Sequence, residues 1–82
     1  MDSTTYAATV AANIKTEMNN KGRSVLSVAE ATGIPRSTLL RRFNSEGMSA
    51  FTVREIKAIA DDLGTTALAL ATVYTQAEKV PA

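Results

Sequence analysis

The sequence predicts one all-α domain, a compact bundle of about five helices that spans residues 1–82. Apolar residues recur at helical spacing in successive segments of the chain. Capping residues and glycines separate these segments, as they do where helices begin and end. A chain of 82 residues has the length of one small domain, and this one contains no internal repeat and no low-complexity linker.

The first helix is predicted over residues 1–20, with Asp2 or Ser3 as its N-terminal cap. Its apolar stripe recurs every four residues and consists of Tyr6, Val10, Ile14 and Met18. The segment NNKG then stops the helix, and Gly22 is expected to adopt the left-handed conformation that often ends a helix. We expect this helix to support the helices that follow it.

Two short helices joined by a tight turn follow the first loop. The first of them is predicted over residues 25–32, behind a cap at Ser24. Gly33 allows the left-handed backbone with which a helix can end, and Pro35 fits the start of a helix but not its interior. The second helix is therefore predicted over residues 36–43.

The next helix has the clearest start in the sequence. Thr52 can cap it, and Glu55 three residues later completes a capping box. Phe51 before the cap and Ile56 after it have the spacing of a hydrophobic staple. Gly64 is expected to end this helix.

A last helix is predicted over residues of about 66–78, with Thr65 or Thr66 as its cap. One stripe of this helix consists of Leu70, Val73, Tyr74 and Ala77. Two interpretations remain open with about equal weight. The helix completes a monomeric bundle, or this stripe also forms a two-fold contact in a homodimer.

Composition argues against several classes of function. The chain has no cysteine and no histidine, which removes disulfides, thiolate metal sites and the commonest general base. No glycine-rich phosphate loop follows a strand, and Asp61 and Asp62 point about 100° apart on a helix. We therefore expect no enzyme activity, no cofactor, no metal and no small-molecule ligand. Without a signal peptide or an apolar run of about 20 residues, a cytoplasmic location without membrane association is expected.

Positive charge is concentrated in the middle of the chain. Residues 21–57 contain seven basic and three acidic residues, a local charge of +4, whereas the whole chain carries only +1. A focused basic patch can serve the binding of nucleic acid without a high overall charge.

Residues 24–44 resemble the helix-turn-helix of the phage repressor and Cro (XRE-type) family. The matching positions are Ala29, Gly33, Ile34 and Leu39. The resemblance continues through FTVREIKAIADDLG to Gly64 and implies a lambda-repressor-like fold. In that fold the helix at 36–43 is the recognition helix, which enters the major groove of DNA.

Two positions depart from the family pattern. Val25 stands where the family often has a polar residue that touches a phosphate. Arg42 stands where many members have an apolar residue, and we therefore expect Phe43 to supply the packing there.

The recognition helix carries residue types suited to reading bases. The residues expected to contact bases are Arg36, Ser37, Leu40 and Arg41. Arginine can donate two hydrogen bonds to guanine, and leucine can touch a thymine methyl group. The alternative is an ordinary solvated helix surface, which the lack of acidic residues between Glu30 and Glu46 disfavours.

A second set surrounds the recognition helix. The residues expected to contact phosphates are Arg23, Thr38, Arg42, Asn44 and Arg54. The resemblance implies this role for Asn44, since a residue at that point in the family often contacts the DNA backbone. For Arg54 the competing interpretation, a solvated helix charge, weighs somewhat more.

These features predict sequence-specific binding of double-stranded DNA by a transcriptional regulator. The resemblance implies a phage or prophage repressor or a Cro-like protein, associated with the nucleoid of a bacterial host and acting as a dimer on a near-palindromic operator. One alternative is a protein-interaction module, such as an antirepressor or an assembly adaptor, whose arginines meet an acidic partner. Another is a recombination directionality factor, ranked lower because the sequence shows no β-hairpin.

Overall fold

The computed structural model describes residues 2–72 and contains five α-helices. They are α1 (Ser3–Asn20), α2 (Val25–Thr32), α3 (Arg36–Asn44), α4 (Val53–Leu63) and α5 (Ala67–Ala71). The prediction of an all-α bundle is confirmed, and this part of the chain has no strand. Within it, no helix combines the length and the apolar character that crossing a bilayer requires.

The helix boundaries follow from local chemistry that the sequence displays. The side chains of Ser24 and Thr52 accept hydrogen bonds from backbone N–H groups at the starts of α2 and α4. The Glu55 side chain accepts a bond from the N–H of Thr52, so the predicted capping box is present. Gly33 and Gly64 end α2 and α4 with φ of 80° and 72°, a conformation that costs glycine little.

The core draws on all five helices. Helix α1 packs against α3, α4 and α5, while α2 packs against α3 and α4. The fully buried large side chains come from all five helices and are Ile14, Val28, Leu39, Ile59 and Leu70. Each such side chain contributes roughly 1.5–3 kcal/mol through the hydrophobic effect, so the few large residues hold a chain that is otherwise rich in alanine.

Helix α5 is described as far as Ala71, and Thr72 after it has an extended backbone, with φ of −72° and ψ of 132°. The predicted continuation of this helix to about residue 78 lies outside the described residues. The side-chain amide of Asn13 donates to the carbonyl groups of Leu70 and Thr72, and the Tyr6 hydroxyl donates to that of Ala71. These contacts with α1 take up carbonyl groups that a longer helix would have used internally.

Two expectations about apolar residues change. Leu70 is only 2% exposed, so it closes the core and is not available for the predicted dimer contact. The other residues predicted at that contact, Val73, Tyr74 and Ala77, lie outside the described residues. Tyr6, predicted in the apolar stripe of α1, is 42% exposed, and its hydroxyl donates to the carbonyl group of Ala71 at the end of α5.

The loop between α3 and α4 returns to the first turn of α1. Glu46 and Gly47 both have positive φ, at 56° and 89°. The backbone of Gly47 lies so close to Thr4 that a Cβ atom at Gly47 would come within 2.1 Å of the Thr4 carbonyl oxygen. This position therefore requires glycine both for its conformation and for the space it leaves.

We predict that Gly47→Ala destabilises the fold more than Gly22→Ala. Gly22 has φ of 64°, and a Cβ atom added there would have nothing within 4 Å, so alanine meets only the backbone cost of about 1–2 kcal/mol. Gly47→Ala adds a steric overlap, for which we expect a further loss of roughly 1–3 kcal/mol. Urea unfolding measures both losses, and equal values would show that the loop moves away from Thr4 without cost.

Candidate nucleic-acid interface

Helix α3 is held from one side. Leu39 is completely buried among residues of the other helices, and Ile34 just before α3 is buried as well. Phe43 packs against this core and so supplies the packing that Arg42, at a position where apolar residues are usual, does not. The Phe43 ring meets the Phe51 ring edge-on, with 5.2 Å between the ring centroids. With one side fixed, the opposite side of α3 faces solvent in a defined orientation.

The structure brings the four predicted base-contacting residues together on that solvent side. Arg36, Ser37 and Arg41 are exposed, and Leu40 is half-buried. Their spacing at i, i+1, i+4 and i+5 places them in two adjacent rows along the helix surface. We call these four residues the outer face of α3.

Within the described residues, Arg36 and Arg41 of the outer face have guanidinium N–H groups that are free to bind a ligand. Arg36 forms no ion pair with any of residues 2–72. The Nε of Arg41 lies 3.4 Å from the Ser49 hydroxyl, which is long for a hydrogen bond and engages one of its five N–H groups. Both guanidinium groups can therefore still donate two parallel hydrogen bonds to a base or a phosphate.

Residues predicted to contact phosphates fall into two groups. Asn44 at the end of α3 and Arg54 at the start of α4 are exposed, and Thr38 is also accessible at the surface of α3. These three positions remain compatible with the prediction. Arg23 and Arg42 are engaged inside the protein.

Arg23 connects the start of α2 to the end of α4. Its Nη2 lies 2.8 Å from Oδ2 of Asp62, and its Nε donates to the Ser27 hydroxyl. The buried Oδ2 atom has no well-aligned hydrogen bond, so the contact with Asp62 is an ion pair set by distance and charge. Arg23 thus has Asp62 as a partner inside the protein, which leaves fewer of its donors for a phosphate.

Arg42 connects α3 to α4. Its Nε and Nη2 donate to the two carboxylate oxygens of Glu55 at 2.9 and 3.1 Å, and its Nη1 donates to the Ser49 hydroxyl at 2.7 Å. Only 15% of the Arg42 side chain and 16% of the Glu55 side chain are exposed. Three of the five N–H groups are occupied, which makes Arg42 a poor phosphate ligand.

The ionisation of Glu55 follows from this environment. Burial raises the pKa of Glu55, but hydrogen bonds from Arg42 and from the Thr52 N–H outweigh it, and the pKa falls below the ordinary value of 4.5. The hydrogen bond to Glu55 raises the pKa of Arg42 in turn. Both groups are therefore charged at neutral pH, and the pair is a charge-assisted, bidentate contact.

Some of the basic residues in the middle of the chain form ion pairs with acidic residues of the protein itself. Of the seven basic residues in 21–57, four form ion pairs, namely Lys21, Arg23, Arg42 and Lys57. The three that form none with the described residues are Arg36, Arg41 and Arg54. Two of these three arginines, Arg36 and Arg41, belong to the outer face of α3.

Other surface features lie away from α3. An apolar groove of about 320 Å³ lies between α1, α4 and α5, and its rim includes the exposed side chains of Tyr6, Val53 and Leu68. A smaller groove of about 210 Å³ is lined by polar and apolar residues that include Asn13 and Glu17. Residues 2–72 contain no cluster of acidic side chains that could hold a metal ion.

Comparison of the chain with protein-family models, with curated proteins and with solved structures found no match. A proposal about function therefore depends on the outer face of α3 and on the contacts that hold this helix in place.

We predict that the Arg42–Glu55 pair makes stability depend on acid pH. Because the pKa of Glu55 is lowered in the folded state, its stabilising effect is present above the pKa of the unfolded chain and is lost as pH falls through the folded pKa. Glu55→Gln keeps an oxygen for the Thr52 N–H but removes the charge. The free energy of unfolding of the wild type should therefore exceed that of Glu55→Gln above about pH 5, and the difference should shrink as the pH falls through the folded pKa of Glu55.

The control is Asp61→Asn, which breaks the Lys57–Asp61 pair on the same helix. Both side chains of that pair are strongly exposed, at 66% and 61%, so the change should alter stability by less than about 1 kcal/mol. Urea unfolding at a series of pH values measures both variants. A difference between wild type and Glu55→Gln that stays constant from neutral to acid pH would contradict the prediction.

Proposed function

We propose that the protein is a sequence-specific double-stranded DNA-binding regulator that inserts the outer face of α3 into the major groove. The observation that supports this most directly is the division of α3 into a buried side anchored by Leu39 and a solvent side with Arg36 and Arg41. An α-helix fits the major groove, and a fixed helix can align side chains with base edges.

Each residue of the outer face has a suitable partner on DNA. Arg36 and Arg41 each offer two parallel N–H donors for O6 and N7 of guanine, the commonest specific contact. Ser37 can donate or accept, and half-buried Leu40 offers an apolar surface to a thymine methyl group. These four residues would therefore read a short half-site.

Contacts with the DNA backbone would be few. Arg54 and Asn44 are the exposed residues of the predicted phosphate set, and only Arg54 is charged. Each neutralised phosphate lowers the logarithm of the binding constant by roughly 0.9 per decade of salt. We therefore expect a shallow salt dependence and weak binding to random DNA, in keeping with a net charge of +1.

The biological role follows from the resemblance to phage repressors and Cro proteins. We propose a repressor of phage or prophage type that acts in the bacterial cytoplasm at the nucleoid and blocks polymerase by occupying an operator. No catalytic step and no cofactor enter this proposal. A homodimer on a near-palindromic site remains part of it, through contacts other than Leu70.

A second candidate is a protein-interaction module. The apolar groove with exposed Val53 and Leu68 favours it, because exposed apolar patches often mark contact surfaces. In this alternative the arginines of α3 meet an acidic protein. A recombination directionality factor has no such support, since the described residues contain no β-hairpin.

In vitro selection from a random duplex pool tests the proposed function. An enriched motif would support base readout, and two half-sites about 10 base pairs apart would support a two-fold dimer on one face of DNA. A single enriched half-site would support a monomer. If no sequence is enriched over the starting pool, the proposed function is wrong, and acidic protein partners become the candidates to test.

We predict that Arg41→Ala relaxes the selected motif at one base position and costs roughly 1–3 kcal/mol of binding free energy. The reason is the loss of a bidentate contact to one base. Lys57→Ala is the matched control, because it removes the same charge from α4, where Lys57 is paired with Asp61. Motifs selected by the two variants are compared with that of the wild type. A motif unchanged in Arg41→Ala would contradict the assignment of Arg41.

A further inference from the structure

We propose that Glu55 is a positioning residue for the recognition helix. Through Arg42 it fixes the C-terminal end of α3 relative to the start of α4, and so sets the orientation of the outer face. This inference rests on the proposed function, since its effect is on the discrimination between DNA sequences.

The carboxylate of Glu55 is itself held in place. Its Oε1 accepts a hydrogen bond from the Thr52 N–H at 2.9 Å and another from Arg42 at 2.9 Å, while Oε2 accepts the second bond of Arg42. The Thr52 hydroxyl in turn accepts from the N–H of Glu55 at 3.1 Å. The capping box therefore anchors the carboxylate to the first turn of α4, and the two oxygens present a fixed fork to the guanidinium.

The connection matters because α3 has little other contact with α4. Close backbone approaches of α3 to other helices involve α1 and α2 and not α4. Between α3 and the segment around the start of α4, the side-chain contacts include the Arg42–Glu55 pair and the edge-on packing of Phe43 on Phe51. The aromatic contact tolerates sliding, whereas the bidentate pair restricts both distance and angle.

Arg42 also lies next to a residue of the outer face. Its Nη1 donates to the Ser49 hydroxyl, which the Nε of Arg41 also approaches. Ser49 is fixed by its own N–H, which donates to the Ser45 hydroxyl at 2.9 Å. Arg41 and Arg42 therefore share one fixed hydroxyl, and release of Arg42 would change the contact through which Ser49 positions Arg41.

The expected consequence is a loss of specificity that a loss of stability does not explain. Removing one partner of a buried ion pair destabilises the fold, because the other charge is left unpaired. The directional geometry of such a pair can also select one arrangement of the elements that it joins. For this protein, that arrangement is the one in which Arg36 and Arg41 align with base edges.

Two variants with opposite changes in charge separate positioning from simple electrostatics. Glu55→Gln raises the net charge by one and Arg42→Gln lowers it by one. A pure charge effect would strengthen binding to random DNA in the first variant and weaken it in the second. Loss of positioning lowers the ratio of operator affinity to random-duplex affinity in both variants. In the double variant this ratio should be no lower than in either single variant.

The experiment measures this ratio by titrating the full chain with the selected duplex and with a scrambled duplex of equal length. Circular dichroism confirms that each variant is folded at the temperature used. We expect the ratio to fall about tenfold in each single variant, the size of one lost base contact. Arg42→Lys keeps the charge but not the bidentate geometry, and it should lower the ratio as well even if Arg42→Gln does not fold.

The matched controls are Lys57→Gln and Asp61→Asn, which break the exposed pair on α4 with the same changes in charge. They should leave the ratio unchanged. If folded Glu55→Gln and Arg42→Lys keep the wild-type ratio, the positioning role is wrong while the proposed function stands. If the wild type itself does not distinguish the two duplexes, the proposed function is wrong instead.

Discussion

Burial of Leu39 in the common core is the constraint on which the candidate interface depends. Helix α3 has nine residues, and an isolated helix shorter than about 12–15 residues is only marginally stable in water. No side chain caps its start at Pro35. The helix therefore owes its existence to packing on α1 and α2, and the side left over by this packing is the outer face.

Ion pairs inside the protein shape its electrostatic character. Arg23 is bound to Asp62 near the end of α4, and Arg42 is bound to Glu55 at the start of α4, the helix that follows α3. The chain thereby uses part of its positive charge to hold α2 and α3 onto α4. On α3 itself, Arg36 and Arg41 remain exposed without an ion pair to the described residues, which is compatible with the proposed recognition of a particular site.

Helix caps and helix ends that depend on residues close by in the chain are predictable from the sequence. The caps at Ser24 and Thr52 and the left-handed glycines at 33 and 64 involve contacts within a few residues, and all are present. The contacts at the end of α5 are not predictable in this way, because Asn13 and Tyr6 reach its carbonyl groups from another helix.

The sequence pattern around Arg42 does not reveal its partner, because that partner also lies on another helix. The stretch between Glu30 and Glu46 holds no acidic residue, but Glu55 reaches α3 from the next helix. One signal is present in the sequence: Arg42 stands at a position where apolar residues usually pack, and a charge directed inwards needs a partner. The capping-box glutamate of α4 supplies that partner.

The contacts between α1 and α5 have a consequence for the order of folding. The hydrogen bonds from Asn13 and Tyr6 join residues separated by 57 to 65 positions, whereas α2 and α3 are neighbours in the chain. Closing so long a loop has an entropic cost that adjacent helices avoid. We expect α2 and α3 to assemble early and the five-residue α5 to dock last, so that amide hydrogens of α5 exchange before those of α3. Local opening at this end of the bundle would then leave the outer face of α3 intact.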